Sequence, residues 1–248
     1  MTGTPATPDP QSPLSEFINT APRTARVFES FGLDYCCHGQ RPLGEACDDA
    51  GVRTEAVLAA LGKALHEEAS GTADDDTGWV ELDPGQLALH IESVHHVYLH
   101  DEMPRLDALA DKVTDVHGER HRELYDVRGL FRELRAELTP HLLKEEQVLF
   151  PMIRELVATG ASAEFHCGSL RNPISVMLSE HDDAGDLLAR LRKAANGYEP
   201  PADGCASYRA LYEGLAELER DTHLHIHKEN NVLFPAVVEL ESRERTSS

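Results

Sequence analysis

The chain has 248 residues, with 44 acidic against 23 basic side chains and a formal net charge of −21. A field this negative repels phosphate backbones and anionic lipid headgroups, which excludes nucleic-acid binding and membrane attachment as main roles. Apolar residues make up 41% and aromatic residues only 6%, and no apolar run approaches the roughly 20 residues of a membrane span.

The N-terminal part is predicted to contain a tail and a small domain. Residues 1–13 are rich in Pro, Thr and Ser, which predicts a disordered tail. They show neither a basic nor an apolar signal region, so we expect a cytoplasmic protein with reduced cysteines. Residues 14–69 have a pattern of short helices around the turn DYCCHG (34–39), which predicts a small helical domain.

The remainder of the chain is predicted to be a helical bundle. Residues 70–79 are acidic and rich in small residues, which is typical of a flexible linker. Four long segments with helical periodicity follow, and strand signals are nearly absent. The predicted helices cover about 84–116, 121–158, 173–196 and 206–241. This pattern predicts an all-α protein with an up-and-down four-helix bundle over residues 80–241 and a tail at 242–248.

One segment of eleven residues occurs twice, as HLLKEEQVLFP at 141–151 and HIHKENNVLFP at 225–235, with seven identical positions. Each copy places a His and a Glu four residues apart, on one helix face. The pairs are His141 with Glu145 and His225 with Glu229. One such pair is usually an exposed salt bridge, but two in matched contexts on alternate helices indicate a common site. A dinuclear cation bridged by both carboxylates would offset the cost of burying them.

The other two helices are expected to complete the metal site. On the third helix, His181 lies within an apolar stretch, where a lone His is usually a hydrogen-bonded core residue; it is a ligand candidate because the bundle needs one from this helix. The first-helix candidates are His90, His95, His96 and His100. Periodicity does not choose between His95 and His96, which are about 100° apart around the axis. Spacing predicts surface or supporting roles for His117, His121, His223 and His227.

These motifs resemble the haemerythrin-like four-helix bundle: a first-helix His, then HxxKEExxLFPM, SEHD and HxxxENxxLFP. With the DYCC turn, the chain resembles more narrowly the repair of iron centres (RIC) family of di-iron proteins, over about residues 14–240. The resemblance implies two non-haem iron ions bridged by two glutamates and capped by four histidines. The implied ligands are His96, His141, Glu145, His181, His225 and Glu229.

The resemblance also implies a function. It implies iron donation to iron–sulfur clusters damaged by oxidative or nitrosative stress, with damaged iron–sulfur proteins as clients and NO or O₂ species as small ligands. Oxygen-carrying haemerythrins have a further His one turn after the third-helix ligand, where this chain has Gly185. The open coordination positions implied by the missing histidine favour iron delivery or small-molecule chemistry over reversible oxygen carriage. The main expectation is a non-enzymatic iron donor. A haemerythrin-type O₂ or NO sensor or carrier, and a di-iron enzyme that consumes NO or peroxide, stay open, as does a monomer or a dimer.

The thiols and two acidic residues complete the predictions. Cys36 and Cys37 are a redox-sensitive thiol pair, or a transient ligand for iron or NO, or a structural turn with partly buried thiols. Adjacent cysteines are poor partners for one disulfide or one metal ion. Glu180 and Glu137 are predicted to line a route by which iron leaves.

Two stretches depart from the family pattern. His38-Gly39 stands where relatives commonly have Gly-Gly, and 163–171, with Cys167, looks like an insertion. Structural roles are predicted for Cys47, Cys167 and Cys205.

Overall fold

The structure is a computed structural model that describes residues 8–66, 78–159, 165 and 168–246. Within these residues every regular element is helical, apart from an isolated bridge between Pro13 and Pro42. The predicted all-α class is therefore confirmed. Most of the predicted linker lies outside the described residues, as does part of the predicted insertion, including Cys167.

The chain forms two compact units. The first contains the residues up to Asp83 together with Ile226–Pro235, and the second contains Pro84–His225 and the residues from Ala236 onward. The sequence did not predict that ten residues near the C-terminus pack with the N-terminal unit. They include most of the second copy of the repeat.

The first unit is built from short helices: α1 (Leu14–Thr20), α2 (Ala25–Phe31), α3 (Leu43–Ala50) and α4 (Thr54–His66), with 3-10 turns at Pro22–Thr24 and Gly78–Glu81. Helices α2 and α3 end at Gly32 and Gly51, whose φ values of 67° and 68° are left-handed. Glycine adopts this conformation without the strain of a Cβ atom, so both helices stop there.

Two predictions about the edges of the first unit are wrong. Residues 9–13 are not a disordered tail, because the N–H groups of Leu43 and Gly44 donate to the carbonyls of Ser12 (3.0 Å) and Pro10 (2.8 Å). The predicted linker also ends too late. Trp79 is buried and its ring lies 6.0 Å from that of His227, so it belongs to the core of this unit.

The four long helices match the predicted bundle helices, and three of them contain a short π-helical segment. Helix A joins α5 (Pro84–Ile91) to α6 (Val97–His117) through Glu92–His96. Helix B joins α7 (Glu123–Lys144) to α8 (Phe150–Thr159) through Glu145–Leu149. Helix C is α9 (Arg171–Ala194). Helix D joins α10 (Ala206–Lys228) to α11 (Phe234–Thr246) through Glu229–Leu233. The predicted tail from 242 is wrong, because α11 continues to Thr246.

The core stripe of each bundle helix leads directly to the candidate ligands. On helix B the buried residues Leu124, Val127, Phe131, Leu134 and Leu138 recur at steps of three and four. Burial of each such side chain stabilises the fold by about 1.5–3 kcal/mol. The same spacing, continued along the helix, next places His141 and Glu145 on the buried face. The periodicity that builds the core therefore carries polar groups into it. No described helix is long and apolar enough to cross a membrane.

Candidate metal centre

The six residues predicted as ligands are all buried, none with more than 3% of its surface exposed: His96, His141, Glu145, His181, His225 and Glu229. Their donor atoms fall into two groups in which all atoms lie within 4.8 Å of one another. The groups are His96, Glu145, His225 and Glu229, and His141, Glu145, His181 and Glu229. Both glutamates occur in both groups, and each group adds two histidines.

The carboxylate of Glu145 lies at the middle of the histidines. Its Oε2 is 3.4 Å from Nε2 of His96 and 3.4 Å from Nε2 of His141. Nε2 of His225 is 3.9 Å from the same oxygen. Three helices thus direct an imidazole nitrogen at one buried carboxylate oxygen.

The imidazoles also meet in pairs. Nε2 of His96 is 3.3 Å from Nε2 of His225, and Nε2 of His141 is 3.2 Å from Nε2 of His181. Two nitrogens at this distance either share one proton or face a common cation. Imidazole with carboxylate is a donor set that suits iron, manganese or zinc, so the residues present fit a transition-metal centre.

Carboxylates on the outer side of two histidines fix the orientation of the rings. Nδ1 of His96 is 3.0 Å from Oε1 of Glu146, and Nδ1 of His141 is 2.8 Å from Oε2 of Glu180. Such partners hold the proton on Nδ1, so that Nε2 carries the lone pair that coordinates a cation. Burial alone would raise the pKa of Glu180, but hydrogen bonds from Lys144 and His141 lower it below its usual range.

The structure separates His95 from His96. His95 is buried as well, but it is in neither donor group. Its Nδ1 lies 2.8 Å from Oδ1 of Asp221, and its ring stacks on that of His225 with 5.6 Å between centroids. His100 is more exposed and contacts Glu146 through Nε2 at 2.8 Å. His95 thus lies beside a candidate ligand, whereas His96 is a member of a donor group.

The sequence did not predict the π-helical segments, which occur at the centre in helices A, B and D. Their hydrogen bonds run from i to i+5, and such segments are frequent at functional sites. In helix A the segment ends at His96; in helices B and D it begins at Glu145 and Glu229. The repeat does relate two of these segments to each other, because Glu145 and Glu229 are equivalent positions in its two copies and each begins a π-helical segment.

A cleft of about 260 Å³ opens beside His141. Its polar lining comes from His141, Glu137, Lys144, Glu180 and Asp183. Burial and the neighbouring charge of Asp183 raise the pKa of Glu137. Both carboxylates that the sequence predicted for iron exit therefore line one acidic cleft that reaches a candidate ligand.

The DYCCHG turn of the first unit is folded around Asp34. Oδ1 of Asp34 accepts the backbone N–H groups of Cys36 (3.1 Å) and Cys37 (2.9 Å). The two Sγ atoms lie 3.7 Å apart. The hydrogen bond with Cys37, burial and the charge of Asp34 raise the pKa of the Cys36 thiol well above its usual range. None of the described cysteines, Cys36, Cys37, Cys47 and Cys205, forms a disulfide.

Residues 226–235 contact the backbone of this turn and hold it in place. Nδ2 of Asn231 donates to the carbonyl of Cys36 at 2.9 Å. His227 is fully buried, with Nε2 at 2.9 Å from Oδ1 of Asn19, and burial lowers its pKa to about 4. A Cβ atom at Gly39 would lie 2.5 Å from Oδ1 of Asn231, so this position of the turn requires glycine. His227 is thus a buried supporting residue, not a surface one.

A helical bundle whose core brings histidines and glutamates together defines the class of non-haem metal-binding four-helix proteins. Comparison with known families agrees with this class. Residues 87–237 match the hemerythrin family described as "Hemerythrin HHE cation binding domain". Residues 10–65 match a family described as "Domain of Unknown function (DUF542)".

Whole-length relatives identify the family. The chain is 36% identical over 223 residues to the iron-sulfur cluster repair protein YtfE of Enterobacter sp. (strain 638), covering 90% of this chain and 94% of the relative. It is 35% identical over 229 residues to a probable iron-sulfur cluster repair protein of Haemophilus influenzae, covering 92% and 97%. For YtfE of Escherichia coli O17:K52:H18 the identity is 33% over 223 residues, covering 90% and 94%. The chain therefore belongs to the repair of iron centres family, as its motifs predicted.

Proposed function

We propose that this protein repairs damaged iron–sulfur clusters by donating iron from a buried di-iron centre. The observation that carries the proposal is the position of Glu145, whose carboxylate lies within 3.9 Å of imidazole nitrogens from three helices. The relatives are named as iron-sulfur cluster repair proteins, which supports the same conclusion. Iron held there would supply an exchangeable, redox-active cation.

The residues of the centre have distinct roles in this proposal. Glu145 and Glu229 belong to both donor groups and would bridge the two ions. His96 with His225 would cap one ion, and His141 with His181 would cap the other. Position 185, one turn after His181, is a glycine and adds no further donor. A site built from these donors alone would favour exchange of the ion over permanent retention.

The acidic cleft gives the cargo iron a route to a client protein. Glu180 contacts His141 directly, and Glu137 lines the same cleft. Carboxylates at these positions offer oxygen ligands to a cation that passes the His141 ring. The ion pair between Lys144 and Glu180 covers part of this path, so its opening would regulate release.

The cellular setting is part of the proposal. Reduced cysteines fit a cytoplasmic location, because disulfides persist mainly in oxidising compartments. Damaged iron–sulfur proteins would be the clients. NO or O₂ species would reach the open positions of the ions as small ligands.

The test combines metal content with iron transfer. Elemental analysis of protein purified without oxygen should give about two irons per chain, the number held by a doubly carboxylate-bridged site. This protein should then reactivate a purified iron–sulfur hydratase inactivated by NO. Zinc alone, or no bound metal, would contradict the centre. A reversible O₂ adduct or NO turnover without reactivation of the hydratase would favour the sensor or enzyme alternatives.

A matched variant tests the cleft. Glu137→Gln should keep both irons but transfer them more slowly, because Glu137 is outside both donor groups. The control is Glu133→Gln, which changes a nearby acidic residue outside the cleft lining. Equal transfer rates for the two variants would contradict the route.

A further inference from the structure

We propose that the DYCCHG turn is a second cation site, separate from the bundle centre, which binds one divalent ion of the zinc or ferrous class through Asp34, Cys36, Cys37 and His38. The proposal does not depend on the di-iron centre or on cluster repair. Three of these residues already place an oxygen and two sulfurs within 4.8 Å of one another.

The sulfur–sulfur distance fits a shared tetrahedral ion. A Zn–S bond of about 2.3 Å and a tetrahedral angle require two sulfurs to lie ~3.8 Å apart. The Sγ atoms of Cys36 and Cys37 are 3.7 Å apart. Oδ1 of Asp34 is 3.2 Å from Sγ of Cys36, close to the ~3.5 Å that tetrahedral Zn–O and Zn–S bonds require. Adjacent cysteines are poor partners for one ion in an extended chain, but this turn brings their side chains to the same side.

A disulfide explains this pair less well. Cα atoms of adjacent residues are about 3.8 Å apart across a trans peptide. Disulfides need Cα atoms about 4.4–6.8 Å apart, so the short loop disfavours an S–S bond between Cys36 and Cys37. The turn thus keeps two sulfurs close without favouring their oxidation to each other.

His38 supplies a fourth donor, next to the three donors of Asp34, Cys36 and Cys37. Its Nδ1 lies 2.6 Å from Oδ2 of Asp34, and its side chain is exposed. A small rotation would therefore bring the imidazole to an ion bound by Asp34. Cys36 is buried, whereas Asp34 and His38 are exposed, so a cation can enter from the open face.

Charge balance is favourable. Asp34 contributes one negative charge, and binding would release one thiol proton each from Cys36 and Cys37 to solvent. With neutral His38, three negative charges meet a divalent ion, which leaves a net charge of −1. Thiolate with imidazole and carboxylate is a donor set typical of zinc and also suits ferrous iron.

The backbone of the turn is held in place before any ion binds. Asn231 donates to the carbonyl of Cys36, and both cysteine N–H groups donate to Asp34. Gly39 allows Asn231 to approach closely. A site whose donors are positioned by such supporting contacts loses little conformational entropy on binding.

Cobalt(II) is a suitable probe, because thiolate ligands give it an intense near-ultraviolet charge-transfer band that nitrogen and oxygen ligands do not. The full chain, with its bundle loaded with iron, should bind about one cobalt with this band. Cys36→Ser and Cys37→Ser should each weaken the band, and the double variant should abolish it. His38→Gly should weaken cobalt binding about tenfold, which corresponds to ~1.4 kcal/mol. The controls Cys47→Ser and Cys205→Ser should leave the titration unchanged.

Two results would overturn the site: no charge-transfer band in the wild-type protein, or a band that persists in the double cysteine variant. Circular dichroism and retained bundle iron would show that the cysteine variants are folded. The Glu145→Gln, Glu229→Gln protein separates the two proposals. We expect this double variant to lose its bundle metal and to keep the cobalt–thiolate band. If the folded variant lost that band as well, the site in the turn would not be independent of the bundle centre.

Discussion

The two copies of the repeat, 141–151 and 225–235, are the same where they meet the metal centre and differ where they meet other parts of the molecule. The seven shared positions include the His–Glu pair and the Val-Leu-Phe-Pro sequence that follows it. Both copies pass from α-helix into a π-helical segment at the glutamate. Identical residues therefore produce the same unusual backbone on two helices.

Three of the four differing positions have diverged with their surroundings, whereas Leu142 and Ile226 are both buried apolar residues. Leu143 is 41% exposed, whereas its counterpart His227 is fully buried in the first unit. Glu146 accepts a hydrogen bond from His96, whereas its counterpart Asn230 contacts the carbonyl of Cys36. The comparison indicates that repeated positions build the centre and that divergent positions determine what each helix supports.

The largest expected effect comes from the shared glutamates. Glu145→Gln or Glu229→Gln removes a carboxylate that belongs to both donor groups, and an amide does not replace its charge. Metal content per chain should fall in each variant by more than in His95→Gln, because His95 is outside both groups. Retention of both metals by the two glutamine variants would contradict the assignment.

A substitution at position 146, where the two copies differ, should have a smaller effect on metal binding. Glu146→Asn gives the first copy the residue of the second and removes the carboxylate that orients His96. Loss of such a partner typically lowers metal affinity by about 10–100-fold. Competition with a chelator would measure this change. The reverse variant Asn230→Glu serves as the control and should retain more metal than Glu146→Asn; the opposite order would refute the comparison.

Periodicity and the repeat were sufficient to predict the bundle and to predict that five of the six candidate ligands lie on the inward faces of its helices. The apolar stripe of helix B continues directly into His141 and Glu145. His96 required the family resemblance, because periodicity does not choose between His95 and His96 and both are buried. The structure distinguishes them, since His96 belongs to a donor group whereas His95 contacts Asp221. That partner is 126 residues away from His95 in the sequence.

The sequence failed where long-range packing decides the structure. Spacing predicted a surface or a supporting role for His227 and could not choose between them, because it does not reveal that Asn19 and Tyr35 contact the ring. The π-helical segments also went unpredicted, because helical periodicity does not show where the hydrogen bonds change from i→i+4 to i→i+5. Residues 9–13 have the composition of a disordered tail, yet they form backbone hydrogen bonds with the start of α3.

The buried histidine of the second copy offers a test of stability without loss of metal. His227→Leu gives this position the residue of the first copy and removes the hydrogen bond with Asn19. We expect the first unit to lose about 1–2 kcal/mol of stability while bundle iron is retained. Hydrogen exchange of residues 14–41 would report it. Leu143→His, at the exposed counterpart, should change stability by less than about 0.5 kcal/mol. Equal effects of the two variants on stability would show that the difference between Leu143 and His227 does not contribute to the stability of the first unit.

The smallest expected effect concerns the support of the cysteine turn. Asn231→Ala removes one hydrogen bond to the carbonyl of Cys36, a loss of about 1 kcal/mol. The turn should open more often, so Cys37 should react faster with a thiol-alkylating reagent. Gln147→Ala, at the exposed counterpart in the first copy, should leave that rate unchanged. If Cys37 reacted equally fast in both variants, Asn231 would not hold the turn, and the second copy would have diverged at this position without a structural consequence.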